Sequence, residues 1–189
     1  MEEGVGDKMI LIINLCRERL HYYEFVKPIE DILKQGGFEF ESLHYSELDK
    51  EVLARCNKVI ICGTSLKDEE FVEDLDSFSW LKDFEKPVFG ICAGMQILGM
   101  VFGGRLKKNL EIGFFHENFE REFLGISGEV EVYHLHNNYV EFGKGFDIFS
   151  EKNFVQAVKL RGKEFYGVLF HPEVRNKKMI LRFCEDGTD

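Results

Sequence analysis

At 189 residues the chain is long enough to bury a full core, and it is expected to fold as one domain spanning 1–189. Its formal net charge of −10 repels phosphate backbones and argues against direct nucleic-acid binding, while leaving room for a small anionic ligand at a local site. Five cysteines at irregular spacing, with no C-x-x-C pair, argue against a disulfide framework and a cysteine zinc site. No apolar run reaches membrane-spanning length, and the acidic start Met1-Glu2-Glu3-Gly4 is unlike a signal peptide, so no membrane is expected and a reducing cytoplasm is the expected compartment. The 19 phenylalanines point to an aromatic-rich core.

In chain order, residues 1–7 read as a flexible lead-in. Met9 to Ile13 is a short continuous apolar run, the mark of a strand buried on both faces. Tyr23 to Gln35 has helical spacing, with the helix proper starting near Pro28 and stopping at Gly36-Gly37. Phe38 to Leu43 reads as a second strand, and Ser46 to Ala54 as a helix capped by Ser46 with Asp49 as its capping-box partner. Lys58 to Cys62 is a third strand, Asp68 to Phe84 is mostly helical, and Pro87 to Ile91 is a fourth strand. The acidic run from Lys67 to Asp76 reads as a solvated helix face. Ala93 to Phe102 is a helix ending at Gly103-Gly104. This alternation favours a mainly parallel sheet with right-handed crossovers. Later stretches, Glu129 to Leu135, Phe154 to Leu160 and Phe165 to Phe170, read as antiparallel strands added to that core, and Asn176 to Cys184 as a last helix.

Cys92 stands where a strand turns into a helix, within Gly90-Ile91-Cys92-Ala93-Gly94-Met95-Gln96. Such a reversal strains the backbone at the central residue, and Gly90 and Gly94 remove the side chains that would collide. The turn exposes the sulfur at the carboxyl edge of the sheet, where α/β folds place ligands, and the helix N-terminus favours a thiolate. The free amide of Ala93 is the nearest donor for a developing oxyanion. Seventy-nine residues further on comes Phe170-His171-Pro172-Glu173. Proline ends the preceding strand, so His171 also sits at a strand end, and Glu173 can turn back to hold its imidazole.

With both segments in view, the chain resembles the class I glutamine amidotransferases. Their nucleophile segment, G-x-C-x-G-x-Q, is matched by Gly90, Cys92, Gly94 and Gln96, and their H-P-E segment by His171, Pro172 and Glu173. The resemblance implies an α/β, flavodoxin-like three-layer sandwich. It implies a glutaminase in which Cys92 attacks L-glutamine, His171 moves the proton and Glu173 orients the ring. Ala93 and Gly63 would line the oxyanion hole, and Gln96, His136, Asn137 and Asn138 would bind substrate. Ammonia would pass to a separate synthetase or synthase partner, with a GMP synthetase as the leading candidate. Two departures stand out. The loop after the third strand, Cys62-Gly63-Thr64-Ser65-Leu66, carries one glycine where the family often has two, and Asn138 replaces an aspartate that would pair with the glutamine α-amino group. The alternatives are a γ-glutamyl hydrolase or peptidase without a partner, and a non-catalytic regulatory subunit.

His134 and His136 lie two apart in a strand and point to one face. No cysteine or acidic ligand cluster accompanies them, so no metal site is expected, and nothing in the sequence demands a metal or organic cofactor. His21, His44 and His116 are isolated.

Overall fold

The computed structural model describes residues 9–185, so the expected lead-in at residues 1–7 lies outside the described residues. The first half builds β1 (Ile10–Asn14), α1 (Arg19–Phe25), α2 (Lys27–Gln35), β2 (Phe40–His44), α3 (Lys50–Arg55), β3 (Lys58–Ile61), the single turn α4 (Glu70–Glu73), β4 (Val88–Ile91) and α5 (Ala93–Val101). The second half adds β5 (Arg105–Phe123), β6 (Ile126–Glu141), β7 (Phe146–Glu151), β8 (Val155–Leu160), β9 (Phe165–Val168) and α6 (Lys177–Cys184).

Seven strands form one sheet in the order β2-β1-β3-β4-β9-β8-β7. The first five run parallel, and β8 and β7 continue the sheet antiparallel. The parallel part has the flavodoxin-like order, with the first strand placed inside the second. Its short aliphatic strands are buried on both faces. Ile10 and Ile12 of β1 join the core beneath α1, α2 and α6, while Leu11 and Ile13 face the opposite core beneath α3 and α5.

β5 and β6 form a separate, long antiparallel hairpin that leaves the main sheet after α5 and returns to it at β7. Along β6 every second residue from Val132 to Val140 is buried, including His134, His136 and Asn138. Phe119, Phe123 and Val132 anchor the hairpin in the core that holds α1, α2 and α6.

Several local expectations need correcting. The helix read over Tyr23 to Gln35 is two helices meeting at Val26; Pro28 suits the first turn of the second. Ser46 does not cap a helix. His44 caps a 3-10 turn at Tyr45–Glu47, and Asp49 is itself the cap of α3, its carboxylate accepting from the Val52 N–H at 2.8 Å. The expected long helix from Asp68 to Phe84 reduces to α4 and a 3-10 segment at Leu75–Lys82. Nor is β9 antiparallel to the core. It lies parallel to β4, Ile91 beside Val168, and is the strand that joins the two halves of the sheet.

Candidate active site

Three neighbouring strands end at the site. Cys62 and Gly63 follow β3, Cys92 follows β4, and His171 follows β9 a few residues beyond its end. Because β4 and β9 are adjacent and parallel, residues 79 apart in sequence come to the same carboxyl edge.

Cys92 occupies the turn between β4 and α5 with φ 50° and ψ −103°, a region that side chains other than glycine rarely adopt. Strain of this kind costs about 1–3 kcal/mol and persists only where the surroundings enforce it. Here they do. A Cβ on Gly94 would lie 2.2 Å from the Ile61 carbonyl oxygen of β3, and one on Gly90 would lie 2.6 Å from the Gly94 carbonyl. The two glycines therefore let α5 start hard against the sheet, with Cys92 at its apex. The Cys92 carbonyl accepts the Gln96 N–H at 3.0 Å, so Ala93 opens the helix and its own N–H lies in the unpaired first turn.

The His171 ring is 1% exposed. Its Nδ1 lies 2.7 Å from Glu173 Oε1, and its Nε2 lies 3.4 Å from the Leu135 carbonyl of β6. The Cys92 thiol in turn donates to the same Leu135 carbonyl at 3.6 Å. The backbone N–H of His171 donates to the Tyr133 carbonyl at 2.8 Å, which docks the hairpin onto the site. Burial opposes charge on the ring, but the Glu173 carboxylate and Cys92 outweigh it and hold His171 well above its ordinary value of 6.5.

That shift has a stability consequence. A histidine whose native value is raised stabilises the fold fully below its unfolded value and loses the contribution as pH rises through the native one. Glu173→Gln removes the charge that holds the proton. In urea unfolding, the stability gap that this proton contributes between wild type and variant is therefore expected to be full below pH 6.5, to shrink as pH rises above 6.5 toward the native value, and to vanish beyond it. A gap independent of pH would mean that Glu173 does not hold His171 in its charged form.

Gly63 stands against both groups: a Cβ there would fall 2.6 Å from His171 Cε1 and 3.3 Å from Cys92 Cβ. Gln96 is buried on α5 and donates to the Asn138 carbonyl at 3.0 Å, tying the helix to β6. Asn137 and Asn138 are brought to the loop after β3. Asn137 Nδ2 donates to the Leu66 carbonyl at 2.9 Å, and Asn138 Nδ2 donates to Glu69 Oε1 at 2.9 Å. His136 is not gathered with them; its side chain points to Glu111 and His134 on the sheet-facing side of the hairpin.

Sequence reasoning misses Glu69 and the Leu135 carbonyl. Glu69 belongs to the acidic run that reads as a solvated face. Its carboxylate lies 2.7 Å from Lys108 Nζ, and Lys108 and Asn138 hold it below the usual carboxylate range. Asp68 in the same run is buried, accepting from Thr64 Oγ1 at 2.8 Å and lying 2.8 Å from His21 Nδ1, so His21 is not isolated either. The run's charge pattern is legible in the sequence; its partners, from α1, β5 and β6, are not.

A cysteine on a strained strand-to-helix turn, an imidazole at the end of the neighbouring strand and a carboxylate on the ring's other nitrogen define a thiol-nucleophile site on a flavodoxin-like sandwich. The family model for class I glutamine amidotransferases matches residues 20–187, and the chain belongs to that family. It is 30% identical over 176 residues to a glutamine-hydrolysing GMP synthase of Thermosipho melanesiensis, covering 86% of this chain but 33% of that protein. The chain thus spans about a third of that relative's length. Against a subunit of the glutamine-hydrolysing GMP synthase of Picrophilus torridus it is 30% identical over 138 residues, covering 68% of this chain and 73% of that one. In fold it matches a Thermoplasma acidophilum protein provisionally described as a GMP synthase subunit, with a TM-score of 0.82, 20% identity and coverage of 93% and 92%.

Proposed function

We propose that this chain, as a single domain, hydrolyses L-glutamine through a thioester on Cys92 and delivers ammonia to a separate synthetase subunit of the GMP synthase kind. The observation that carries the reading is the convergence of Cys92, His171 and Glu173 at one sheet edge, with the Nδ1–carboxylate distance of 2.7 Å. Cys92 sulfur attacks the side-chain amide carbon as the thiolate, its proton already held on the His171 imidazolium, and His171 gives that proton to the departing ammonia. Water then attacks the γ-glutamyl thioester, releasing glutamate and restoring the thiol. Ala93 N–H, at the start of α5, and the Gly63 backbone are the donors assigned to the oxyanion. Gln96, through its bond to β6, positions the wall of the substrate site.

Glu69 supplies the negative charge that Asn138 lacks. Held at 2.9 Å by the Asn138 amide, it is the group assigned to pair with the glutamine α-amino group, with Asn137 and Asn138 orienting it. The His136 ring lies against His134 and Glu111 instead of Glu69.

The surface beside the site suits a partner. Leu110, Ile112 and Phe114 of β5 are all more than half exposed along the outer face of the hairpin. A net charge of −10 fits a protein surface or a small substrate and not nucleic acid. Among the described residues no helix is long and apolar enough to cross a membrane. All five cysteines are unpaired and buried, which fits a reducing cytoplasm.

The test is glutamate release from glutamine, measured for wild type and Glu69→Gln with and without a GMP synthetase subunit. The expected result is hydrolysis that the synthetase stimulates, and a KM for glutamine raised about tenfold in the variant with kcat little changed, the value of roughly 1.4 kcal/mol of charge-assisted binding. Equal KM values would remove Glu69 from the substrate site. No glutamate under either condition would remove the glutaminase.

A further inference from the structure

His134, His136 and Glu111 meet on the buried, sheet-facing side of the hairpin. Glu111 is the direct cross-strand partner of His136, and His134 lies two residues back on the same face. His134 Nδ1 is 3.1 Å from His136 Nε2, His136 Nε2 is 3.2 Å from Glu111 Oε2, and Glu111 Oε2 is 3.3 Å from His134 Nδ1. Both histidine side chains are fully buried. We propose that these three side chains form a binding site for a divalent transition metal of the zinc class, with one coordination position left open.

The triangle has the size such a cation requires. Tetrahedral bonds of about 2.0–2.1 Å put neighbouring ligand atoms about 3.3 Å apart. Two imidazoles and one carboxylate suit zinc, cobalt or iron and not the oxygen-loving magnesium or calcium.

Protons do not satisfy the same triangle. Each of its three edges joins two potential acceptors and needs its own proton, yet a ring N–H points along only one of them. A cation serves all three atoms at once.

The surroundings also fit. The other nitrogen of His134, Nε2, is buried without a hydrogen bond and faces Glu117 Oε1 at 3.5 Å. Glu117 is itself buried and accepts from Ser150 Oγ at 3.3 Å. Gln156 Nε2 reaches Glu111 Oε2 at 3.5 Å. A carboxylate behind a ligating histidine and an amide behind a ligating carboxylate are the usual outer partners of such sites.

The proposal departs from the sequence expectation of no metal site. Both carboxylates, Glu111 and Glu117, come from the neighbouring strand β5, so their place beside His134 and His136 does not show in the sequence around the histidines.

The site also bears on the nucleophile. Leu135 lies between the two histidines, and its carbonyl is the one that faces Cys92 Sγ and His171 Nε2. A bound metal pins the backbone on either side of that carbonyl, so the metal acts as a positioning element.

Cobalt(II) titration of chelator-treated protein tests this, in a Cys92→Ala background so that the reactive thiol cannot compete. The expected result is one equivalent bound with ligand-field bands, no thiolate charge-transfer band, and a rise in Tm. Glu111→Gln and His136→Gln, each checked for folding by circular dichroism, should weaken binding at least tenfold and abolish the Tm rise. Absence of binding in the Cys92→Ala protein, or binding that both folded substitutions leave unchanged, would overturn the site. Neither outcome depends on glutaminase activity.

Discussion

Cys92→Ala is expected to abolish glutamate release, lowering kcat by about 10⁴-fold or more, because the covalent route needs the sulfur and no other group at the site replaces it. The loss should come without loss of stability. Cys92 holds a strained backbone conformation whose surroundings enforce it, and alanine at φ 50° keeps that strain while giving up only a small side chain. Cys92→Ser separates nucleophilicity from size: it keeps a hydroxyl in place of the thiol and should remain nearly as inactive. Steady-state glutamate assays beside thermal unfolding make the comparison. Substantial activity in either variant would place the chemistry elsewhere.

Gly94→Ala is expected to be the most damaging single methyl group in the described chain. Its Cβ would sit 2.2 Å from the Ile61 carbonyl oxygen, and that oxygen belongs to a central strand that cannot yield. The start of α5 must move away from β3, carrying the turn at Cys92 with it. A cost of about 3 kcal/mol or more is expected, a fall in Tm of about 10 °C for a chain of this size, with activity lost in whatever protein still folds. Gly143→Ala is the control. A Cβ there meets nothing within 4 Å, so Tm should hold within the small range of ordinary surface changes. Equal stability for the two variants would show that the close approach of α5 to β3 is not what Gly94 provides.

The parts of the molecule that can be read in the sequence are those whose signals are local. The buried parallel strands are continuous aliphatic runs, and the nucleophile turn keeps its glycines within two residues of the cysteine. His171 and Glu173 sit two apart for the same reason: one short loop holds both. The hairpin is only half legible. In β5 the inward face switches at the irregularity between Lys108 and Glu111, so Leu106 points in before it, while Leu110, Ile112 and Phe114 point out after it. No single alternation survives that switch, and the strand escapes a sequence reading. The same switch turns Glu111 and Glu117 inward to meet His134 and His136.

Glu69 escapes for a different reason. Its partner Asn138 is 69 residues away, and only the closing of the hairpin over the loop after β3 brings them to 2.9 Å. The departure at Asn138 is visible in the sequence, but the carboxylate beside it is not. The capping errors are smaller in kind. Asp49 is recognisable as a capping residue but falls at the wrong helix start, because the 3-10 turn at Tyr45–Glu47 interrupts the chain just before it.

The most direct test of the thiol-nucleophile account is labelling by a glutamine analogue that carries a reactive ketone in place of the side-chain amide, with a GMP synthetase subunit present. Mass spectrometry of the digested protein should show one adduct, on Cys92, blocked by excess glutamine and strongly slowed in His171→Ala. No adduct, or labelling spread over Cys16, Cys56, Cys62 and Cys184 without protection by glutamine, would contradict it.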